Sequence, residues 1–276
     1  MNYSKANKIK ILFIGDIFGE KGIEACKKVI PYLKNKHKID FIIAQGENVS
    51  GRKGLNVADY QTLKELGINA ITMGNHVWAN SEIYSIIDDS DIIRPANISN
   101  SYPGVGSKVF DVKGQKLRVT SIMGITFNKL FLPWKEEQAE NFFDAIDEII
   151  SVDNADYHFV DFHGETTSEK YVFSLYVDGK VDALVGTHTH VQTNDAQVLP
   201  QKTQLVSDAG MTGPYQSAIG ANFDEVYERM RFERSAKFKS SDNDPQFNGV
   251  IFTLSKSKKP KPPKLINYNP QKIQKI

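Results

Sequence analysis

The sequence has almost no cysteine: Cys26 is the single one in 276 residues. A lone cysteine excludes internal disulfides and is typical of a reducing cytosol. No apolar run reaches the ~18–20 residues that span a bilayer, and the first residues lack the apolar stretch of a secretory signal. An excess of charge is also absent, with 34 Lys and Arg against 33 Asp and Glu. We therefore expect a cytoplasmic protein that binds neither membranes nor, stably, nucleic acids.

The first third of the chain alternates between short apolar runs and helical stretches. Strands are predicted at 9–14, 39–44 and 68–73, and helices at 21–36 and 57–66. Pro31 is expected to interrupt or kink the first helix. Strands that alternate with helices predict crossover connections and a largely parallel sheet, so the fold class is α/β.

The remainder adds a hairpin, more strands and two further helices. Strands are predicted at 108–112, 116–122, 157–162, 182–185 and 204–206, and a helix at 135–151. Thr166 and Glu169 have capping-box spacing, which predicts that a helix begins there. Segments 248–254 and 265–268 are expected to close a second sheet.

We expect residues 1–276 to form a single domain. Within it, residues 209–244 have few strand signals and one charged helix, predicted at 223–238, so they are interpreted as an accessory or cap element. Residues 255–264 are rich in Lys and Pro and are interpreted as a solvated linker.

Polar side chains follow the predicted strands, at the point where each strand ends. These side chains are Asp16, Glu47, Asn75, His163 and His188. In open α/β sheets, ligands bind at the carboxyl ends of the strands. A single Asp or His there is more often a turn residue or a satisfied polar group. Five together indicate one ligand set.

His188 and His190 strengthen this interpretation. They follow an apolar, strand-like run, and side chains two apart on an extended segment point the same way, about 6.5–7 Å apart. Each imidazole could then hold a different ion of a close metal pair.

The residue types predict two-metal hydrolysis. Glu47 is the candidate bridge, because a carboxylate can join ions about 3.5–4 Å apart, and Asp16 is a terminal ligand. Two carboxylates against two divalent cations leave a positive site that attracts phosphate. A hydroxide between the ions would supply the nucleophile. Imidazole, carboxylate and amide ligands suit iron, manganese or zinc.

His76 adjoins Asn75, and adjacent side chains on extended backbone diverge. Asn75 could then face a metal while His76 faces the substrate. We predict that His76 is a general acid for the leaving oxygen or an electrostatic clamp on the phosphate. The alternative is a histidine that only closes a turn.

Several motifs carry a family resemblance. They are Ile11–Asp16, Gly46–Asn48, Ile71–Trp78, Arg94–Asn97, Asp161–His163, Thr167–Lys170, Gly186–Thr193 and Asp208–Tyr215. With these motifs the chain resembles the calcineurin-like metallophosphoesterases and, within them, the YmdB family. The resemblance runs from near the start to about Tyr215, and it implies a four-layer α/β/β/α sandwich.

The resemblance also implies roles for individual residues. The first metal would be bound by Asp16, Glu47 and His190, and the second by Glu47, Asn75, His163 and His188. The wider superfamily has Asp-x-His in its first motif, but Ile17 and Phe18 follow Asp16 here. Asn48 is the nearest candidate to replace that histidine. The implied activity is hydrolysis of phosphodiesters, including 2′,3′-cyclic nucleotides.

Two other functions compete with this one. A nucleotide-cofactor enzyme is disfavoured, because Gly15, Gly19 and Gly22 do not have Gly-x-Gly-x-x-Gly spacing and no P-loop lysine follows. A non-enzymatic metal-binding regulator that acts through a partner stays open. The expected ligand is a small phosphodiester or nucleotide, and a homo-oligomer is also possible.

Overall fold

The computed structural model describes residues 8–88, 91–152 and 154–276. Within them, the strands are β1 (Lys8–Ile14), β2 (Asp16–Ile17), β3 (Phe41–Gln45), β4 (Ala70–Thr72), β5 (Ile92–Ile93), β6 (Ser107–Val112), β7 (Gln115–Met123), β8 (Tyr157–His163), β9 (Ala183–Thr187), β10 (Gln197–Val198), β11 (Gln204–Val206), β12 (Met211–Pro214), β13 (Pro245–Ser255) and β14 (Lys264–Tyr268). The helices are α1 (Gly19–His37), α2 (Val57–Glu65), α3 (Phe142–Ser151), α4 (Thr167–Tyr176), α5 (Phe223–Phe232) and α6 (Pro270–Ile273), with a 3₁₀ helix at Ser81–Ser85.

The strands form two sheets. The first has the order β2-β12-β13-β1-β3-β4-β5, with β14 paired to β13, and β1, β3, β4 and β5 are parallel. The second has the order β10-β11-β9-β8-β7-β6, in which β7, β8, β9 and β11 are parallel. Both parallel runs direct the carboxyl ends of their strands toward one side.

Both faces of the central strands are buried, as the continuous apolar runs predict. In β1, Leu12 and Ile14 pack with the α1 side of the first sheet, whereas Ile11 and Phe13 face the second sheet. Phe13 stacks on Phe159 of β8 with ring centroids 5.7 Å apart. The space between the sheets is therefore a packed hydrophobic core.

Helices cover the outer face of each sheet. On the first sheet, α1 buries Cys26, Val29 and Leu33, and burial raises the pKa of the Cys26 thiol. On the second sheet, α3 and α4 bury Ile146 and Phe173. The result is an α/β/β/α sandwich of four layers, which is the fold class that the sequence resemblance implies.

The interruption that Pro31 could have caused is not found, because α1 is continuous from Gly19 to His37. Two other local predictions were wrong. Residues 135–141 are not helical, because α3 begins only after Asn141, whose side chain accepts hydrogen bonds from Phe143 and Asp144. β13 and β14 belong to the first sheet, where β13 pairs with β1 from Gly249 to Ser255. An apolar segment is recognisable as a strand, but its sequence does not reveal which sheet it joins.

The proposed accessory segment contains one strand that we did not predict. β12 pairs with β2 and β13 in the first sheet, and α5 follows with every residue at least partly exposed. The Lys- and Pro-rich residues lie in the connection between the antiparallel strands β13 and β14. Across the described ranges, no helix is long and apolar enough to cross a membrane.

Candidate metal centre

The predicted site residues come together where the two sheets meet. Asp16 lies just beyond β1, Glu47 just beyond β3 and Asn75 just beyond β4. From the second sheet, His163 is the last residue of β8 and His188 follows the end of β9. Both groups lie at the carboxyl ends of parallel strands, so each sheet contributes part of one site.

Potential metal-ligand atoms of Glu47, Asn75 and His188 lie close to His163 Nε2, and those of Glu47, His163 and His188 are within 4.8 Å of one another. His163 Nε2 lies 3.1 Å from Glu47 Oε1, 3.0 Å from Asn75 Oδ1 and 3.0 Å from His188 Nδ1. A tetrahedral ion with bonds of about 2.1 Å separates its donors by about 3.4 Å. An outward movement of a few tenths of an ångström would therefore make room for one ion.

A second group of donors surrounds Asp16. Its Oδ1 lies 3.8 Å from His190 Nε2 and, among the described residues, has no hydrogen-bond partner although it is buried. His190 Nδ1 lies 2.8 Å from the main-chain oxygen of Ile219. The Nδ1–H group can donate a hydrogen bond to that oxygen, which leaves the lone pair of Nε2 available to a metal ion. Metal-binding histidines commonly have such a partner.

Asn48 has the same kind of unsatisfied atom. Its Nδ2 donates to the main-chain oxygen of Arg52 at 2.8 Å, and this bond fixes the orientation of the amide. Its Oδ1 is buried and, within the part of the chain that the structure describes, has no hydrogen-bond partner. Because an unpaired buried oxygen is costly, a cation beside Asn48 would relieve the penalty.

The two histidines after β9 do not lie on extended backbone, so that premise was wrong. His188 has φ 98° and His190 has φ 67°, in the left-handed region that non-glycine residues rarely adopt. Their imidazoles do not point the same way: that of His188 lies against His163, and that of His190 lies near Asp16. Asn75 and His76 likewise lie in a turn rather than on a strand.

Asp208 stabilises the loop that contains His188 and His190. Its Oδ2 accepts hydrogen bonds from the main-chain N–H of Thr189 at 3.2 Å and from Thr189 Oγ1 at 2.8 Å. Lys170 Nζ donates to the same oxygen at 2.7 Å, and both charged side chains are fully buried. The ion pair therefore positions Thr189, which lies between His188 and His190 in the sequence.

The far nitrogen of His163 is also held in place. His163 Nδ1 lies 2.9 Å from Thr187 Oγ1 and 3.1 Å from Gln45 Nε2. Thr187 Oγ1 in turn donates to Asp161 Oδ1 at 2.7 Å, and Thr72 donates to Asp161 Oδ2 at 2.6 Å. Partners of this kind orient a ligand imidazole.

Sequence reasoning missed several of these supporting residues. His188 Nε2 lies 3.0 Å from Glu165 Oε2, a half-exposed carboxylate two residues after His163. Asp208 and Lys170 lie within motifs that resemble the family, but their pairing spans 38 positions and has no local signal. Only their presence in those motifs could have indicated them.

The site attracts positive charge. Burial alone would raise the pKa of Glu47, but His163 and His76 outweigh it and hold that pKa well below its usual range. Burial would lower the pKa of His163, yet the Glu47 carboxylate raises it to about 9. Burial raises the pKa of Asp16 and lowers that of His188 to about 3. Buried carboxylates, imidazole nitrogens and amide oxygens together fit metal ions, which would displace the proton from His163 on binding.

His76 lies beside this centre. Its main-chain N–H donates to Glu47 Oε2 at 2.8 Å, and its side chain lines a cleft with Asn75 and Lys53. Burial lowers the pKa of His76 to about 4, so the imidazole is neutral at pH 7 in the substrate-free protein. An anion bound in the cleft would favour the protonated form and raise this pKa.

We predict that Gly74→Ala impairs the site. A Cβ at Gly74 would overlap the His163 ring, so the ring would have to turn away from Glu47 and Asn75. The affinity of the protein for metal is expected to fall at least tenfold, which corresponds to about 1.4 kcal/mol. The measurement is a titration of metal-free protein with metal ions.

Gly114→Ala is the matched control. Gly114 has φ 79° with no atom within 4 Å of an added Cβ, so the change costs backbone strain alone, about 1–2 kcal/mol. It should lower the unfolding midpoint without changing metal affinity. Equal metal affinity in the two variants would contradict the role of the close Gly74–His163 approach.

The chain is similar to proteins of known sequence and structure. The family model described as YmdB-like protein matches residues 12–262. A 2′,3′-cyclic-nucleotide 2′-phosphodiesterase of Bacillus subtilis is 39% identical over 249 residues, which cover 89% of this chain and 91% of that protein. The crystal structure of a novel phosphatase from Mycoplasma pneumoniae superposes with a TM-score of 0.87 at 35% identity and covers 98% of both chains. A 5′-nucleotidase precursor from Thermus thermophilus shares the fold alone, with a TM-score of 0.59 at 9% identity over 96% of this chain and 55% of that one.

Proposed function

Because the chain belongs to the YmdB-like protein family, we propose that it is a metal-dependent phosphodiesterase that hydrolyses small 2′,3′-cyclic nucleotides. The named activities of its relatives support a hydrolase of phosphate esters. The observation that carries the proposal is the cluster of Glu47, Asn75 and His188 donors within 3.0–3.1 Å of His163 Nε2.

Seven side chains would hold a pair of metal ions. Glu47 is shared between the two groups of donors; Asp16, Asn48 and His190 complete one, and Asn75, His163 and His188 complete the other. Bound ions of this kind supply a water of lowered pKa and positive charge that faces the phosphate. Iron, manganese and zinc all suit the donor set.

The protein itself would orient the substrate and manage the proton of the leaving group. The main-chain N–H of His76 is tied to Glu47 Oε2, so the imidazole has a fixed position beside the donor cluster. From there it can donate a proton to the leaving oxygen, or donate a hydrogen bond to a phosphate oxygen without transferring a proton.

We expect His76→Ala to lower kcat for a 2′,3′-cyclic nucleotide by about 100-fold, as is typical for loss of a positioned acid. Metal content should not change, because alanine retains the main-chain N–H that bonds to Glu47. The measurement is steady-state kinetics on metal-loaded protein, with elemental analysis of the same samples.

A second substrate separates the two roles of His76. An aryl phosphodiester has a leaving group that needs no proton, so the variant should lose far less activity on it if His76 is a general acid. Equal losses on both substrates would indicate the electrostatic role. If metal-loaded wild-type protein leaves both substrates intact, the proposed function is wrong.

A further inference from the structure

A cleft shares His76 and Asn75 with the candidate metal centre and adds side chains that the centre does not use. The loop of residues 130–134 also lines this cleft and is called its apolar wall. Lys53 and Lys129 also line it. The cleft therefore combines cationic groups, an apolar wall and a face shared with the donor cluster.

The apolar wall presents large side chains to solvent. Phe131 is 71% exposed and Leu132 is 93% exposed, although both are strongly apolar. Exposed apolar groups at a concave site are a common mark of a ligand-binding surface. Within the described chain, no protein ring is paired with Phe131.

Burial and hydrogen bonds fix both ends of this loop. Leu130 and Trp134, which flank the exposed pair, are buried, and the Leu130 N–H donates to the main-chain oxygen of Glu137 at 2.9 Å. Trp134 Nε1 donates to the main-chain oxygen of Asn75 at 2.7 Å. The loop is thus tied directly to a residue of the donor cluster, so Phe131 has a defined place relative to the site.

We propose that this cleft is the nucleoside subsite of the enzyme. The base of the nucleotide packs against Phe131 and Leu132, while Lys53 contacts the phosphate beside His76. The inference deepens the proposed function and rests on it: the substrate is recognised as a nucleoside phosphodiester, and a phosphodiester without a base is a poorer one. Stacking of one base on an aromatic side chain typically contributes ~1–3 kcal/mol.

The test compares two five-membered cyclic phosphodiesters. One is 2′,3′-cyclic AMP, and the other is glycerol 1,2-cyclic phosphate, which has the same reacting ring and no base. Phe131→Ala should lower the ratio of kcat/KM for the nucleotide to kcat/KM for the glycerol compound by about 5- to 160-fold. Leu132→Ala should lower the same ratio by a smaller factor.

Phe127→Ala is the matched control. Phe127 is 87% exposed and lies four residues earlier, outside the lining of the cleft, so the ratio should stay at its wild-type value. Lys53→Gln should instead lower kcat/KM for both compounds by about tenfold and leave the ratio unchanged, because it contacts the phosphate that they share.

The outcomes distinguish this inference from the function it rests on. If wild-type protein hydrolyses both compounds and Phe131→Ala leaves the ratio unchanged, the nucleoside subsite is wrong and the phosphodiesterase stands. If Phe131→Ala lowers both activities equally, the loop only supports the metal centre, and the inference is again overturned. If wild-type protein hydrolyses neither compound, the proposed function itself fails.

Discussion

Replacing Glu47 with glutamine is expected to lower phosphodiesterase activity by at least about 1,000-fold, about 4 kcal/mol of transition-state stabilisation. In the proposed function Glu47 binds both ions; in the structure its Oε1 lies 3.1 Å from His163 Nε2, and its Oε2 accepts the His76 N–H at 2.8 Å. Glutamine has the same shape but only one acceptor oxygen and no charge. Metal content per chain, measured by elemental analysis after dialysis, should fall together with kcat/KM.

Glu169→Gln provides a control for this result. Glu169 is also buried, but its Oε1 accepts the main-chain N–H groups of Ile125 and Thr126, and its Oε2 accepts a hydrogen bond from Thr166, the N-cap residue of α4. Its substitution should lower the free energy of unfolding by about 1–2 kcal/mol without changing metal content. If Glu47→Gln retained the wild-type metal content and activity, Glu47 would not be a ligand.

Lys170→Met is expected to produce the largest loss of stability, about 3–5 kcal/mol. Lys170 Nζ lies 2.7 Å from Asp208 Oδ2, and both side chains are only 1% exposed. Methionine fills a similar volume but leaves the Asp208 carboxylate buried without a counter-charge. The main-chain N–H groups of Thr189 and Gly210 would still bond to that carboxylate, so its penalty is reduced and not removed. The measurement is the midpoint of urea unfolding at unchanged slope.

A surface ion pair serves as the comparison. Lys28 Nζ lies 3.1 Å from Glu24 Oε1 on α1, and both side chains are largely exposed. Lys28→Met should therefore change stability by less than about 1 kcal/mol. Lys170→Met should in addition weaken metal binding, because Thr189 lies between His188 and His190. Equal unfolding midpoints for the two variants would contradict the importance of the buried pair.

Much of the fold could be predicted from the sequence. Continuous apolar runs such as residues 11–14 indicate strands covered on both faces, and their alternation with helices indicates the parallel order. The motifs also predicted the family, and the family match confirms it. The sheet to which β13 and β14 belong could not be predicted, because an apolar segment carries no local signal for the strand with which it pairs, and β13 lies between β12 and β1.

The residues that come together at the candidate site could be predicted from the sequence, but their backbone conformations could not. Strand-end positions identified Asp16, Glu47 and Asn75, and the structure brings them near His163 and His188, while their roles as ligands stay predictions. The backbone at His188 could not be predicted. Its left-handed conformation is unfavourable for histidine and depends on distant partners, including a bond from its N–H to Asp16 Oδ2.

The division of the donors between two sheets has a consequence for how the protein matures. The His188 N–H reaches Asp16 across 172 positions of the chain. During synthesis, the amino-terminal half can offer only an incomplete set of donors until the second sheet has been made and has packed against the first. Metal binding by the proposed ligands would therefore require both sheets to be formed and packed together, and bound ions would stabilise the contact between the two halves.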